Sequence, residues 1–145
     1  RKNLLKSTKE KENSVNCKMV EINNRTDYNL DLEDLKVFAQ RALSEEMKLS
    51  VAFLEPQEIK KFNEKYRDSQ GPTDVLSFEG DEGFLGEILI SPKVVEDQAN
   101  EHGLEFDIEI KRVLIHGILH LLGYDHKEKE EKRKMREKEK EFLSG

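Results

Sequence analysis

The chain has 145 residues, 35% hydrophobic and 39% charged, with no Trp and a net charge of −6. That length makes one domain with a real core the expectation. No run approaches the ~18 apolar residues of a membrane helix or forms a secretory apolar region, and the single Cys17 excludes an internal disulfide framework and a cysteine-rich zinc module, so a soluble cytoplasmic protein is expected. Charge is unevenly distributed: residues 1–18 carry 6 basic and 2 acidic groups, residues 127–141 carry 8 and 6, and residues 19–126 carry 11 and 23. An acidic body is a poor general binder of polyanions, so any contact with nucleic acid must run through local basic patches.

Residues 1–18, polar, basic and without periodicity, read as a flexible arm, and 19–145 as one domain. Val20–Arg25 alternates as a strand does. Asn29 or Asp31 is placed to cap a helix whose Leu32, Leu35, Phe38, Ala39, Ala42 and Leu43 share one face. Leu49–Leu54 is a strand-like run. Pro56 suits the first turn of a helix in which Ile59, Phe62 and Tyr66 recur at helical spacing. Gly71-Pro72 marks a turn. Asp74–Phe78 and Leu85–Ile90 read as strands joined through Gly80–Gly83 into an antiparallel hairpin.

Pro92 opens a short helix that His102-Gly103 ends. Asp107 is placed to cap a long apolar helix, Ile108–Leu122, that Gly123 ends; this helix should be the central, buried one. A charged helix, 127–143, closes the chain. Its Glu128/Lys132 and Glu130/Lys134 stand at i,i+4, and Met135, Phe142 and Leu143 give it a thin apolar stripe for docking. The order β, α, β, α, β, β, α, α, α predicts an α/β (α+β) fold, a small mixed sheet of about four strands packed with helices.

Three of the four histidines fall in one 11-residue window, as His116-Gly-Ile-Leu-His120-Leu-Leu-Gly123-Tyr-Asp-His126. His116 and His120, at i and i+4, project from one helix face about a turn apart, where two imidazoles can grip one ion. Gly123 can take the left-handed conformation that reverses the chain and returns His126 towards them. Three nitrogen ligands leave a fourth position open, the pattern of catalytic zinc, although such a site also suits other first-row ions. The competing reading, core or pH-sensing histidines, leaves three imidazoles to be desolvated without compensation. Asp125 is a candidate to orient a ligand ring, and His102 reads as a surface or helix-end residue. The spacing equals that of the metzincin proteases, which need Glu beside the first His as general base. Gly117 occupies that position here and disfavours a peptidase.

The segment HGILHLLGYDH, 116–126, resembles the signature of the YbeY endoribonuclease family. Asn63-Glu-Lys-Tyr-Arg67 followed by Pro72-Thr-Asp-Val-Leu-Ser-Phe78 is similar to that family's second block, and Gly86-Glu87-Ile88 to its third, the edge strand beside the site. The likeness runs from about Val51 to His126. Glu79 stands where the family usually has Pro. The resemblance implies a metal-dependent, single-strand-specific endoribonuclease acting in small-subunit ribosomal RNA 3′-end maturation and ribosome quality control. It implies one ion, usually Zn²⁺, on His116, His120 and His126, and a functional Arg67. Single-stranded or ribosomal RNA and the small ribosomal subunit are the implied partners, with no membrane and no DNA.

The residue chemistry is compatible with this. A zinc ion with an open position can supply hydroxide near neutral pH or polarise a phosphoryl oxygen, and Arg67 can clamp a phosphate through two parallel hydrogen bonds. Lys60, Lys61 and Lys65 with Arg67 can form a basic rim, Lys61 and Lys65 being substrate-binding candidates; Lys111 and Arg112 either join that rim or face solvent. Phe62, Tyr66 and Phe78 are expected in the core. Thr73, Asp74 and Ser77 suit strand-start and turn roles. The alternatives are a noncatalytic ribosome-assembly factor with a structural metal, a metallopeptidase-like hydrolase, and a phosphatase or other small-ester hydrolase.

Overall fold

The computed structural model describes residues 19–44, 46–67, 74–124 and 128–144. The elements are β1 (Met19–Asn24), α1 (Leu32–Arg41), β2 (Lys48–Phe53), α2 (Pro56–Arg67), β3 (Val75–Glu79), β4 (Phe84–Ile90), α3 (Pro92–His102), α4 (Phe106–Leu121) and α5 (Lys129–Ser144). The basic arm and the Gly71-Pro72 turn lie outside the described residues.

Alternation along the strands divides the apolar residues between two faces. Val20, Leu49, Val51, Phe53, Ile88 and Ile90 point to one face and pack against Leu35 and Phe38 of α1 and against Val113, Leu114 and Ile118 of α4. Leu76 and Leu89 point to the other, where Leu54, just after β2, and Ile59 of α2 cover them, with Phe62 and Phe78 partly buried beside them. The strand order is β1-β2-β4-β3. β1 and β4 run parallel to β2, and β3 closes the sheet antiparallel to β4. The mixed four-strand α/β architecture and the hairpin are those predicted. The strand similar to the third family block differs in position: β4 lies inside the sheet, and β3 is the edge strand.

Helix ends follow local chemistry. Asp31 caps α1 by accepting from the Asp34 amide at 3.1 Å. Gly103, at φ 68°, ends α3. The central helix begins earlier than Asp107 suggested. Its N-cap is Glu105, whose side chain makes no capping bond, and Asp107 sits in the first turn, where its charge favours the helix dipole. Phe106 stacks on Tyr28 at 5.8 Å between ring centroids, which anchors the extra residues as helix. Along α5, the described ion pairs join Arg133 to Glu130 and Glu137, and Lys138 to Glu141, rather than the two i,i+4 pairs that spacing suggested. Such exposed pairs are nearly isoenergetic, so spacing alone does not choose among them. Met135 is buried in the main core and Phe142 and Leu143 pack against it, as the stripe predicted. No helix among the described residues is long and apolar enough to cross a membrane.

The backbone at Gly86 is tightly constrained. The register between β2 and β4 shifts by a residue between Lys48/Leu49 and Phe84/Gly86, and Gly86 adopts φ 154° there. A Cβ on Gly86 would stand 2.4 Å from the Phe78 carbonyl oxygen. Gly86→Ala should therefore cost about 2–4 kcal/mol from backbone strain and overpacking together. The check is the urea midpoint; a midpoint within error of wild type would show that the hairpin relaxes freely.

Candidate metal centre

Helix α4 is seated close on the sheet at Gly117. A Cβ on Gly117 would lie 3.2 Å from two Ile88 side-chain atoms and from Ser77 Oγ. Ser77 Oγ is itself 3.5 Å from the Gly117 carbonyl oxygen. At ~100° per residue, this seating sets where the neighbouring side chains point. His116 and His120 fall together on one flank of the helix, His116 half-buried and His120 exposed. Beyond His120 the helix ends in a Schellman motif: the Tyr124 amide donates to the Leu119 carbonyl at 3.0 Å and the Gly123 amide to the His120 carbonyl at 3.1 Å. Gly123 takes φ 107°, which a side chain would resist. Leu122, Gly123 and Tyr124 then line a cleft of about 280 Å³ with Glu131 and Lys134 of α5.

The flank carries a polar network. His116 Nδ1 meets Glu139 Oε2 at 2.7 Å. Glu139 reaches in from α5 and is only 6% exposed. Its other oxygen lies 3.9 Å from Arg112 Nη1. Arg112 is held by two bonds to buried Glu109, at 2.8 and 2.7 Å, and these bonds, foremost, raise its pKa above the usual guanidinium value. An ionised carboxylate only accepts, so Nδ1 of His116 carries the proton facing Glu139. Nε2 is the ring's other nitrogen, on the side away from Glu139.

Among the described residues, no group of three His, Cys, Asp or Glu side chains is arranged to hold a metal ion. His116 and His120 are two of the three expected ligands; His126 and Asp125 lie outside the described residues. The donor chemistry fits a divalent ion: two imidazoles one turn apart on a single flank, one of them backed by a buried carboxylate in the manner of metal-ligating histidines.

Other expected residues are distributed as follows. Arg67 is the last residue of α2. Lys60, Lys61 and Lys65 are exposed on that helix. Lys111 and Arg112 do not join them: Lys111 pairs with Asp34 at 2.8 Å, and Arg112 belongs to the Glu109–Glu139 network. Tyr66 was expected in the core and is 55% exposed. The cause is the end of α2, where Phe62 of the helix and Phe78 of β3 already fill the apolar surface. They leave Tyr66 stacked on Phe62 and edge-on to Phe78, with ring centroids 5.9 and 5.8 Å away. Lys65 Nζ lies over its ring at 5.2 Å. His102 caps its own helix end, Nδ1 sitting 2.9 Å from the Gln98 carbonyl oxygen. Glu139 was missed because it lies in a run of charges. Its signal is position: 135, 139, 142 and 143 form one helical face, so a carboxylate stands in the apolar stripe.

Comparison with known proteins agrees with this architecture. Residues 8–145 match the family Endoribonuclease YbeY. The chain is 41% identical to an endoribonuclease YbeY of Aquifex aeolicus (strain VF5) over 150 aligned positions, covering 97% of this chain and 96% of that one. It is 39% identical to one from Bifidobacterium animalis subsp. lactis (strain AD011) over 132 positions, covering 80% and 73%. The solution structure of TM1509 from Thermotoga maritima superposes with a TM-score of 0.65 at 35% identity, covering 86% of this chain and 87% of that one. Fold and sequence together define a hydrolase of the RNA-cutting class built on a small mixed sheet. The chain belongs to the YbeY endoribonuclease family.

The packing at Gly117 is tight for any side chain: a Cβ there would already stand 3.2 Å from side-chain atoms of Ile88 and Ser77. Gly117→Glu should destabilise the fold by roughly 3 kcal/mol or more, since overpacking and burial of a charge add, without conferring peptidase activity. Thermal unfolding and a casein digest check this; a stable, casein-cleaving variant would refute the packing argument.

Proposed function

We propose that this chain is a metal-dependent, single-strand-specific endoribonuclease of the cytoplasm that acts on ribosomal RNA, at the 3′ end of the small-subunit RNA and in contact with that subunit. The observation that carries the reading is the flank of α4, where His120 stands one turn beyond a His116 whose Nδ1 is engaged by buried Glu139. His116, His120 and His126 would hold the ion, with zinc favoured by an all-imidazole donor set and an open position. An ion held there supplies Lewis-acid polarisation of the phosphodiester.

The rest of the reaction falls to the chain's own groups. Arg67, at the end of α2, offers a planar fork of donors that fits a phosphate and stabilises the charge accumulating on it in the transition state. Lys60, Lys61 and Lys65 are exposed on the same helix and give an acidic body one local track for an RNA backbone, with the steep salt dependence of phosphate neutralisation. The exposed Tyr66 ring beside them can stack a base, which any nucleotide sequence allows but a duplex, with its bases already stacked inside, does not. That accounts for a single-strand preference without base-specific contacts.

The reading is tested by cleavage of a labelled single-stranded fragment of small-subunit rRNA. His120→Ala should slow it by more than about 100-fold, beyond the 10–100-fold cost of losing only a ligand's outer partner. EDTA should have the same effect and added zinc should reverse it. Equal cleavage by wild type and variant, prepared identically, would put the chemistry elsewhere. Binding gives a second prediction. Tyr66→Ala should raise the Kd for single-stranded RNA about 5- to 150-fold, the range of one lost base stack, while Tyr66→Phe stays near wild type. Filter binding at one fixed salt concentration measures both, and an alanine variant that binds normally would remove the stacking role.

A further inference from the structure

The C-terminal helix looks, by composition, like a solvated tail. Its one buried carboxylate has a different setting. Glu139 is 6% exposed and Met135, one turn earlier, is 1% exposed. One turn later, Arg41 Nη2 donates to the Phe142 carbonyl at 2.8 Å, tying α5 to α1. Glu139 is thus held between two anchors, and its carboxylate reaches α4 at His116. The network also leaves its two oxygens with different partners. Arg112 is already committed to Glu109 through both nitrogens of its fork. It stands 3.9 Å from Oε1 of Glu139 as a nearby positive charge, while Oε2 makes the short contact to the imidazole. Burying a carboxylate is costly unless it is paired. The partner it has is the residue proposed above as a metal ligand.

We infer that Glu139 is the positioning residue of the metal centre: it keeps the proton on Nδ1 of His116, holds the ring's orientation and turns Nε2 towards the ion, so that docking of α5 and metal affinity are coupled. This rests on His116 being a ligand. A carboxylate behind a ligating imidazole fixes the tautomer and raises the basicity of the other nitrogen, and its loss commonly weakens binding by 10–100-fold. The coupling runs both ways: the ion favours the docked helix, and the docked helix favours the ion.

The test measures zinc affinity by competition with a chromogenic chelator, on the full chain, for wild type, Glu139→Gln, Glu139→Ala, His116→Ala and the His116→Ala/Glu139→Ala pair. Glu139→Ala should weaken zinc binding about 10–100-fold. Glu139→Gln retains a carbonyl oxygen that accepts from Nδ1 but loses the charge, and should fall between. In the His116→Ala background, Glu139→Ala should add nothing further. A purely structural role predicts the same loss with or without His116, and that result would overturn the inference. A second readout needs no metal: imidazole ¹⁵N shifts of the apo protein, at a pH where the ring is neutral, should show His116 as the Nδ1–H tautomer in wild type and a mixture in Glu139→Ala. An unchanged tautomer would also overturn it. If His116→Ala leaves zinc affinity intact, the ligand assignment fails instead, and the tautomer result still judges the Glu139 contact. Glu139→Gln, nearly isosteric, guards against a variant that does not fold, with circular dichroism as the check.

Discussion

The close seat of α4 on the sheet governs this molecule. At Gly117 the helix backbone approaches Ile88 and Ser77 until even a methyl group would have to displace them. That contact sets the rotation of α4 about its axis, because a helix pressed against a sheet along one line cannot turn without exposing Ile118 and Leu114. With the rotation set, His116 and His120 lie on the flank, outside the apolar contact and beside α5. The same contact that positions the histidines excludes the glutamate a peptidase would carry next to the first of them.

Burial and charge are reconciled on that flank. Glu109 and Glu139 are both buried, and each has a partner on α4: Arg112 for the first, His116 for the second, with Arg112 near both. Removing His116 or Arg112 leaves a buried carboxylate short of its partner, which costs more than the pair contributes. Such a network is therefore more informative about specificity than about stability. Its effect is to lock the relative placement of α4 and α5, two helices whose apolar contact alone would tolerate small slides.

The substrate side follows a different principle. An acidic body repels a polyanion, so the RNA contact proposed above falls where lysines and an exposed aromatic coincide, at the end of α2. Tyr66 is exposed because Phe62 and Phe78 occupy the apolar surface there, and its ring is held by contacts to both. A side chain braced in this way loses little freedom on binding. α2 and its lysines lie on the opposite face of the sheet from α4 and its histidines.

Much of this was legible in the residue order. Strand alternation and the three-and-four spacing of apolar residues located the nine elements of the described residues, because both periods arise from backbone geometry that every residue shares. Gly103 and Gly123 marked helix ends, since only a left-handed residue closes a Schellman motif cheaply. The histidine pair was readable for the same reason: i and i+4 lie on one face of any helix. Three things were not readable. The central helix begins at Phe106 rather than at Ile108 after an Asp107 cap, because a ring stack on distant Tyr28 outweighed a local cap. Tyr66 is exposed despite its helical spacing, because two other aromatics fill the surface it would have used. Glu139 is buried inside a charge run, because its partner is 23 residues away on another helix. Sequence by itself determined the elements and the histidine spacing, which depend on neighbours along the chain; which side chains meet across helices, and so which glutamate stands behind His116, was decided only when packing brought α4 and α5 together.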